Sequence, residues 1–173
     1  MARADVVIVH HANLMDGEEL KTLMKCLRML MNWQRRPVIA TSQMKVMGLI
    51  PADRLLSSDN RGITLESMPS LRGRLALVVC GVGNPDSVAK VVEKLDCWVR
   101  VELKAFPDHH AFNSGDIHDI LDWRNEDVVV VTTEKDFARS SRAMEALAEE
   151  VDLRILKCEL ELLYNADQVK ERM

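Results

Sequence analysis

Three uninterrupted apolar runs constrain this chain more than any other feature: VVIV at 6–9, LALVVC at 75–80 and VVVV at 128–131, the last continued by Thr132 and Thr133. A strand with one face in water alternates apolar and polar side chains, so a run without polar members has to be covered on both faces. Each run is followed by apolar residues at helical spacing: Leu20, Leu23, Met24, Leu27, Leu30 and Met31, then Val88, Val91, Val92 and Leu95, then Met144, Leu147, Ala148 and Val151. Strands alternating with amphipathic helices predict an α/β fold, a mainly parallel sheet flanked by helices in three α/β/α layers.

Local signals refine the outline. Asn84 followed by Pro85 marks a helix start, and Ser114 is expected to cap a short helix holding Ile117, His118, Ile120 and Leu121. WVRVELKAF, residues 98–106, alternates Val99, Val101 and Leu103 with Arg100, Glu102 and Lys104, the mark of a strand near a sheet edge. EKDFARSSRAMEALAEEV, 134–151, reads as one helix, and LRILKCELELL, 153–163, as a last strand. The chain divides into a strand-plus-helix segment 1–36, an extended linker 37–73, an α/β lobe 74–163 and a polar tail 164–173.

With 47% apolar residues among 173, the chain builds a real core, and 10 methionines against 4% aromatics make that core aliphatic. Cys26, Cys80, Cys97 and Cys158 lack C-x-x-C spacing and sit within apolar patterns, so reduced, buried thiols in a reducing compartment are expected, without structural zinc. No apolar stretch is long enough to span a bilayer, and the N-terminus runs into a strand in place of a signal-peptide core. Net charge is −4, which argues against a nucleic-acid binder. Residues 1–74 carry 11 Lys+Arg against 7 Asp+Glu (+4) and residues 75–173 carry 12 against 20 (−8). A basic first part suits an anionic phospholipid surface, and NWQRRP, 32–37, sets Trp33 beside Arg35 and Arg36 as at membrane interfaces; a solvated helix end is the alternative.

Ligands of open α/β sheets gather at the carboxyl ends of strands, and three polar clusters fall there: VHHAN, FPDHHAF and TTEKD. In FPDHHAF, Asp108 beside His109 and His110 supplies an imidazole and an orienting carboxylate, which suits removal of a hydroxyl proton near neutral pH. Adjacent residues point opposite ways, so one histidine faces the site. The same triplet is also compatible with an Asx-type turn, or with a divalent metal as in the DHH phosphoesterases, although the further aspartates of a dinuclear centre are not evident. In TTEKD, Thr133 and Asp136 have capping-box spacing, and Lys135 could meet a phosphate. GVGNPD departs from G-x-G-x-x-G at its third glycine, so Gly81 and Gly83 read as turn residues. No glycine is followed by lysine, so no P-loop can be written in the chain. His10 and His11 either finish the first strand or approach a nucleotide.

Taken in order, ADVVIVHHANL, LALVVCGVGNPDSVAKVVEKL, KAFPDHHAFNSGDI and VVVVTTEKDFARS resemble the C-terminal half of the tetraacyldisaccharide 4'-kinase (lipid A 4'-kinase) family, with HHANL closer to plant-type relatives. The resemblance implies ATP- and Mg²⁺-dependent phosphorylation of the 4'-hydroxyl of an acylated glucosamine disaccharide at a membrane surface, the bacterial inner membrane in the family or an organelle in a eukaryote. It implies a P-loop-kinase-like fold with the P-loop in a first lobe that this chain lacks, residues 1–36 being that lobe's remnant. It places on His109 the role of activating the hydroxyl together with a first-lobe aspartate, with Asp108 as its neighbour and His110, Thr133, Lys135 and Asp136 in the substrate or phosphate vicinity. The expectation is a chain inactive without the missing lobe. A non-catalytic binding or regulatory module derived from the kinase is the alternative.

Overall fold

The computed structural model describes residues 4–31, 37–56, 71–123 and 127–172. The Trp33, Arg35 and Arg36 cluster, and most of the stretch between Ala52 and Gly73, lie outside them. The described residues form a mixed, mostly parallel six-stranded sheet with flanking helices, in the strand order β1-β2-β6-β5-β3-β4. The strands are β1 (Val6–Val9), β2 (Val38–Pro51), β3 (Leu75–Cys80), β4 (Arg100–Ala105), β5 (Val128–Thr133) and β6 (Asp152–Tyr164). The helices are α1 (Gly17–Leu30), α2 (Ala52–Leu56), α3 (Pro85–Glu93), α4 (Ser114–Leu121), α5 (Glu134–Arg139), α6 (Ser141–Glu150) and α7 (Ala166–Lys170). No helix among the described residues is long and apolar enough to cross a membrane.

The chain forms two compact units, 1–45 with 159–173, and 46–158. Their boundaries fall inside β2 and β6, each of which contributes one part of its length to each unit.

In the first unit β1 pairs in parallel with the start of β2, Val6 opposite Val38 through Val9 opposite Thr41. Helix α1 begins at a capping box in which Asp16 and Glu19 each accept from the other's end of the first turn. It buries Leu27 with Val9, Ala12, Met31 and Ile39. Its other face exposes Cys26, so the expected burial of all four thiols fails there: Cys26 occupies the solvent side of an amphipathic helix.

In the second unit β3 lies between β4 and β5, and β5 pairs onward with β6, all in parallel. Leu77, Val78, Val79, Val129, Val130 and Val131 are all buried although neighbours in each strand point to opposite faces, as uninterrupted apolar runs require. One face packs on Phe112, Ile117, Ile120, Met144 and Leu147. Strand β4 is the edge strand its alternation predicts, but it starts at Arg100 and leaves Val99 exposed. Two cap details differ from the sequence reading. Asn113, not Ser114, caps α4, because its carboxamide oxygen accepts the Gly115 and Asp116 amides while its own N–H donates to Asp116 Oδ2. The expected helix over 134–151 breaks at Ser140, whose hydroxyl accepts the buried Phe112 N–H and whose backbone leaves helical geometry.

Candidate functional site

Parallel pairing brings the carboxyl ends of β3, β4 and β5 to one edge of the second unit, where Gly81, Phe106–His110 and Thr133–Asp136 meet. The Pro107–His110 turn is closed by the His110 N–H donating to the Pro107 carbonyl at 3.0 Å. Its third residue, His109, has a φ of 62°. A left-handed residue at that position is what a type II turn demands, and histidine tolerates the region better than most non-glycine residues. The His109 N–H donates to the Gly81 carbonyl at 3.1 Å and to Asp108 Oδ1 at 3.0 Å, which docks the turn against the end of β3.

The close approach explains Gly81. A Cβ there would lie 3.0 Å from both His110 Cβ and the Pro107 carbonyl oxygen, so only glycine lets the turn settle. The Gly81 N–H donates to Oδ2 of Asp136, which is fully buried. Thr133 caps α5 by accepting the Asp136 N–H and donates its own hydroxyl to Asp136 Oδ2. The capping box read from TTEKD is therefore half of one: the Asp136 carboxylate crosses to Gly81 and to Arg139 Nη1 at 2.9 Å. Thr133 and Asp136 are held within the protein, whereas Lys135 stands exposed on the first turn of α5.

The two adjacent histidines part company, through the turn geometry at His109 and not through strand alternation. His110 turns inward, stacked on Phe106 with ring centroids 4.9 Å apart and edge-on to Phe112, its Nε2 2.9 Å from Asp116 Oδ2. Burial would raise the Asp116 carboxyl, but the hydrogen bonds from His110 and Asn113 and the charges of His110 and Lys104 outweigh it and leave the group below its ordinary value. His109 turns outward, its side chain 70% exposed, with Nε2 3.7 Å from Asp108 Oδ2. The triplet thus does not converge on one point as three metal ligands would, and among the described residues no three of His, Cys, Asp and Glu form a group able to hold a metal.

His10 and His11 belong to the first unit. His10 Nδ1 lies 2.9 Å from Ser42 Oγ, and His11 sits in the left-handed region ahead of a short 3-10 turn, Ala12–Leu14. Burial, then the neighbouring His10, lowers the His11 pKa. Sequence reasoning missed Arg139 and Asp116. Each lies a helical interval after another residue of its site, Arg139 three after Asp136 and Asp116 three after the cap Asn113, but nothing local says that their side chains reach another strand's turn.

Three amides at the turns after β3 and β5 are already committed within the protein, Gly81 to Asp136, Ser87 to Asn84 and Asp136 to Thr133, and do not offer themselves to a phosphate.

The fold and the strand-end imidazole define an α/β protein with a polar site at the carboxyl edge of its parallel strands. The sequence profile described as Tetraacyldisaccharide-1-P 4'-kinase matches residues 1–173, and the chain belongs to that family. It is 32% identical over 171 residues to the tetraacyldisaccharide 4'-kinase of Anaeromyxobacter dehalogenans (strain 2CP-1 / ATCC BAA-258), covering 96% of this chain and 41% of that protein. It is 37% identical over 105 residues to that of Anaeromyxobacter sp. (strain K), covering 58% and 27% respectively. The chain thus spans well under half the length of the curated relatives it matches. A crystal structure of the "apo" form of LpxK from Aquifex aeolicus in complex with ATP aligns with 97% of this chain and 50% of its own, at 13% identity and a TM-score of 0.42.

Proposed function

We propose that this chain supplies the hydroxyl-activating part of a lipid A 4'-kinase, acting in ATP- and Mg²⁺-dependent phosphorylation of the 4'-hydroxyl of a tetraacylated glucosamine disaccharide. One observation carries the reading: His109 holds an exposed imidazole at the carboxyl edge of three parallel strands, on a turn anchored to a buried carboxylate, while its neighbour His110 is packed away. In this reading His109 acts with an aspartate of a P-loop-bearing lobe, and Asp108 orients the turn that presents it. ATP and Mg²⁺ are held by that lobe, since phosphoryl transfer rests on positioning and charge stabilisation that this edge does not offer. The chain alone is then inactive. The test is transfer of the γ-phosphoryl of ATP to the acylated disaccharide, by the chain alone and mixed with the P-loop-bearing remainder of a relative. Product only in the mixture supports the reading, and turnover by the chain alone contradicts it.

Attachment to the periphery of an anionic membrane belongs to the same proposal. Lys21, Lys25 and Arg28 are exposed on one side of α1, Met29 flanks them and Leu30 lies at the helix end, the last two 73% and 69% exposed. Cations beside exposed apolar side chains suit a headgroup boundary. Co-sedimentation with phosphatidylglycerol vesicles, lost when Met29 and Leu30 are changed to Ser, is the expected result; equal binding to neutral vesicles would contradict it.

A further inference from the structure

Arg139 is the side chain on which the site's separate strand ends converge. Its Nη1 donates to Asp136 Oδ1 at 2.9 Å, to the Gly81 carbonyl at 3.2 Å and to the His110 carbonyl at 3.4 Å. Its Nη2 lies 3.4 Å from Nδ1 of His109. A guanidinium carries donors and no acceptor, so a ring nitrogen facing it has to present a lone pair. On the other side of the ring Nε2 faces the Asp108 carboxylate, which only accepts. Both neighbours require the same neutral imidazole, with the lone pair on Nδ1 and the hydrogen on Nε2.

They are not equally able to impose it. Asp108 is half exposed, and its 3.7 Å separation from Nε2 is beyond a hydrogen bond. Arg139 is mostly buried and fixed by Asp136, which is wholly so. We propose that Arg139 is a positioning residue that holds His109 in the Nε2–H tautomer while gripping the carbonyls on which its left-handed turn rests. A group approaching the ring from solvent then meets a hydrogen-bond donor, so in this tautomer His109 would donate to an incoming carboxylate, such as the aspartate partner of the kinase reading, and would not itself take the hydroxyl proton. The proposal goes beyond the kinase reading and does not depend on it, because the tautomer belongs to this chain alone.

The test uses the whole chain labelled with ¹⁵N-histidine, studied by long-range ¹H–¹⁵N correlation at a pH above imidazole titration, with His109 assigned from His109→Asn. The expected result is two widely separated His109 nitrogen signals, the protonated one at Nε2. Arg139→Gln should draw the two together as both tautomers become populated, while the His110 signals, tied to Asp116, stay in place. Asp108→Asn should leave the wild-type pattern. Averaged tautomers or an Nδ1–H form in the wild type would overturn the proposal. So would loss of the pattern in Asp108→Asn, which assigns the control to Asp108, or its survival in Arg139→Gln. If Arg139→Gln disturbs His110 as well, the wild type and Asp108→Asn decide by the same criteria.

Discussion

The backbone N–H of Gly81 donates to Oδ2 of Asp136 across 55 residues of sequence, at 3.2 Å. The bond ties the end of β3 to the first turn of α5, and the same carboxylate anchors Arg139, so one buried charge organises both sides of the turn that presents His109.

Asp136→Ala leaves the mostly buried Arg139 without its carboxylate and Gly81 without an acceptor. Removing one partner of a buried pair costs about 3–5 kcal/mol, and urea unfolding should show a loss of that order. A loss within experimental error would mean that the carboxylate does not organise the edge.

Gly81→Ala places a methyl group against the His110 Cβ and the Pro107 carbonyl. Neither is the tip of a flexible side chain, so the turn has to move, at a cost of about 1–3 kcal/mol. Urea unfolding gives the magnitude, and altered His109 and His110 nuclear magnetic resonance signals should accompany it. Gly17→Ala, where an added Cβ meets nothing within 4 Å, is the control expected to leave these signals unchanged.

These contacts mark the limit of what the sequence discloses. The apolar runs at 75–80 and 128–131 announce buried parallel strands because each residue type already implies its surroundings. The alternation from Arg100 to Lys104 announces an edge for the same reason. The reach of Asp136 to Gly81, and of Arg139 to the His110 carbonyl, depends on strands adjacent only after folding, so no spacing encodes it. Ser140 shows the opposite failure: 134–151 has a helix-compatible composition, yet the Phe112 amide captures the serine hydroxyl and breaks the helix in two. The boundaries of the two units run through β2 and β6, strands with no compositional break.

Asp116 gives the fold a defined acid dependence. Its folded carboxyl lies below the ordinary 3.8, so near and below that pH the unfolded chain binds the proton more readily and stability rises with pH. The contribution is fully present above about pH 4 and is lost as pH falls through the lower folded value. Urea unfolding of the wild type and Asp116→Asn should show a stability gap that narrows as pH falls below 3.8. A gap constant from pH 6 to 3 would mean that the His110 contact does not hold this carboxylate.

Three of the four thiols should separate by reactivity. Cys26 is exposed, while Cys80 and Cys97 are buried. Burial, with Asp136 and Asp86 adding to it, pushes the Cys80 thiol up to about 12. At pH 8 a disulfide reagent should modify Cys26 promptly and Cys80 and Cys97 only on unfolding. Rapid labelling of Cys80 in the folded chain would contradict the packing of β3.

The most direct measurement is the rate of phosphoryl transfer to the acylated disaccharide by the chain supplemented with a relative's P-loop-bearing remainder, comparing the wild type with His109→Asn. Asparagine tolerates the left-handed turn, so the fold is kept while the imidazole is removed. The account predicts a fall in kcat of about a hundredfold or more with KM little changed. Undiminished kcat in the variant would contradict it.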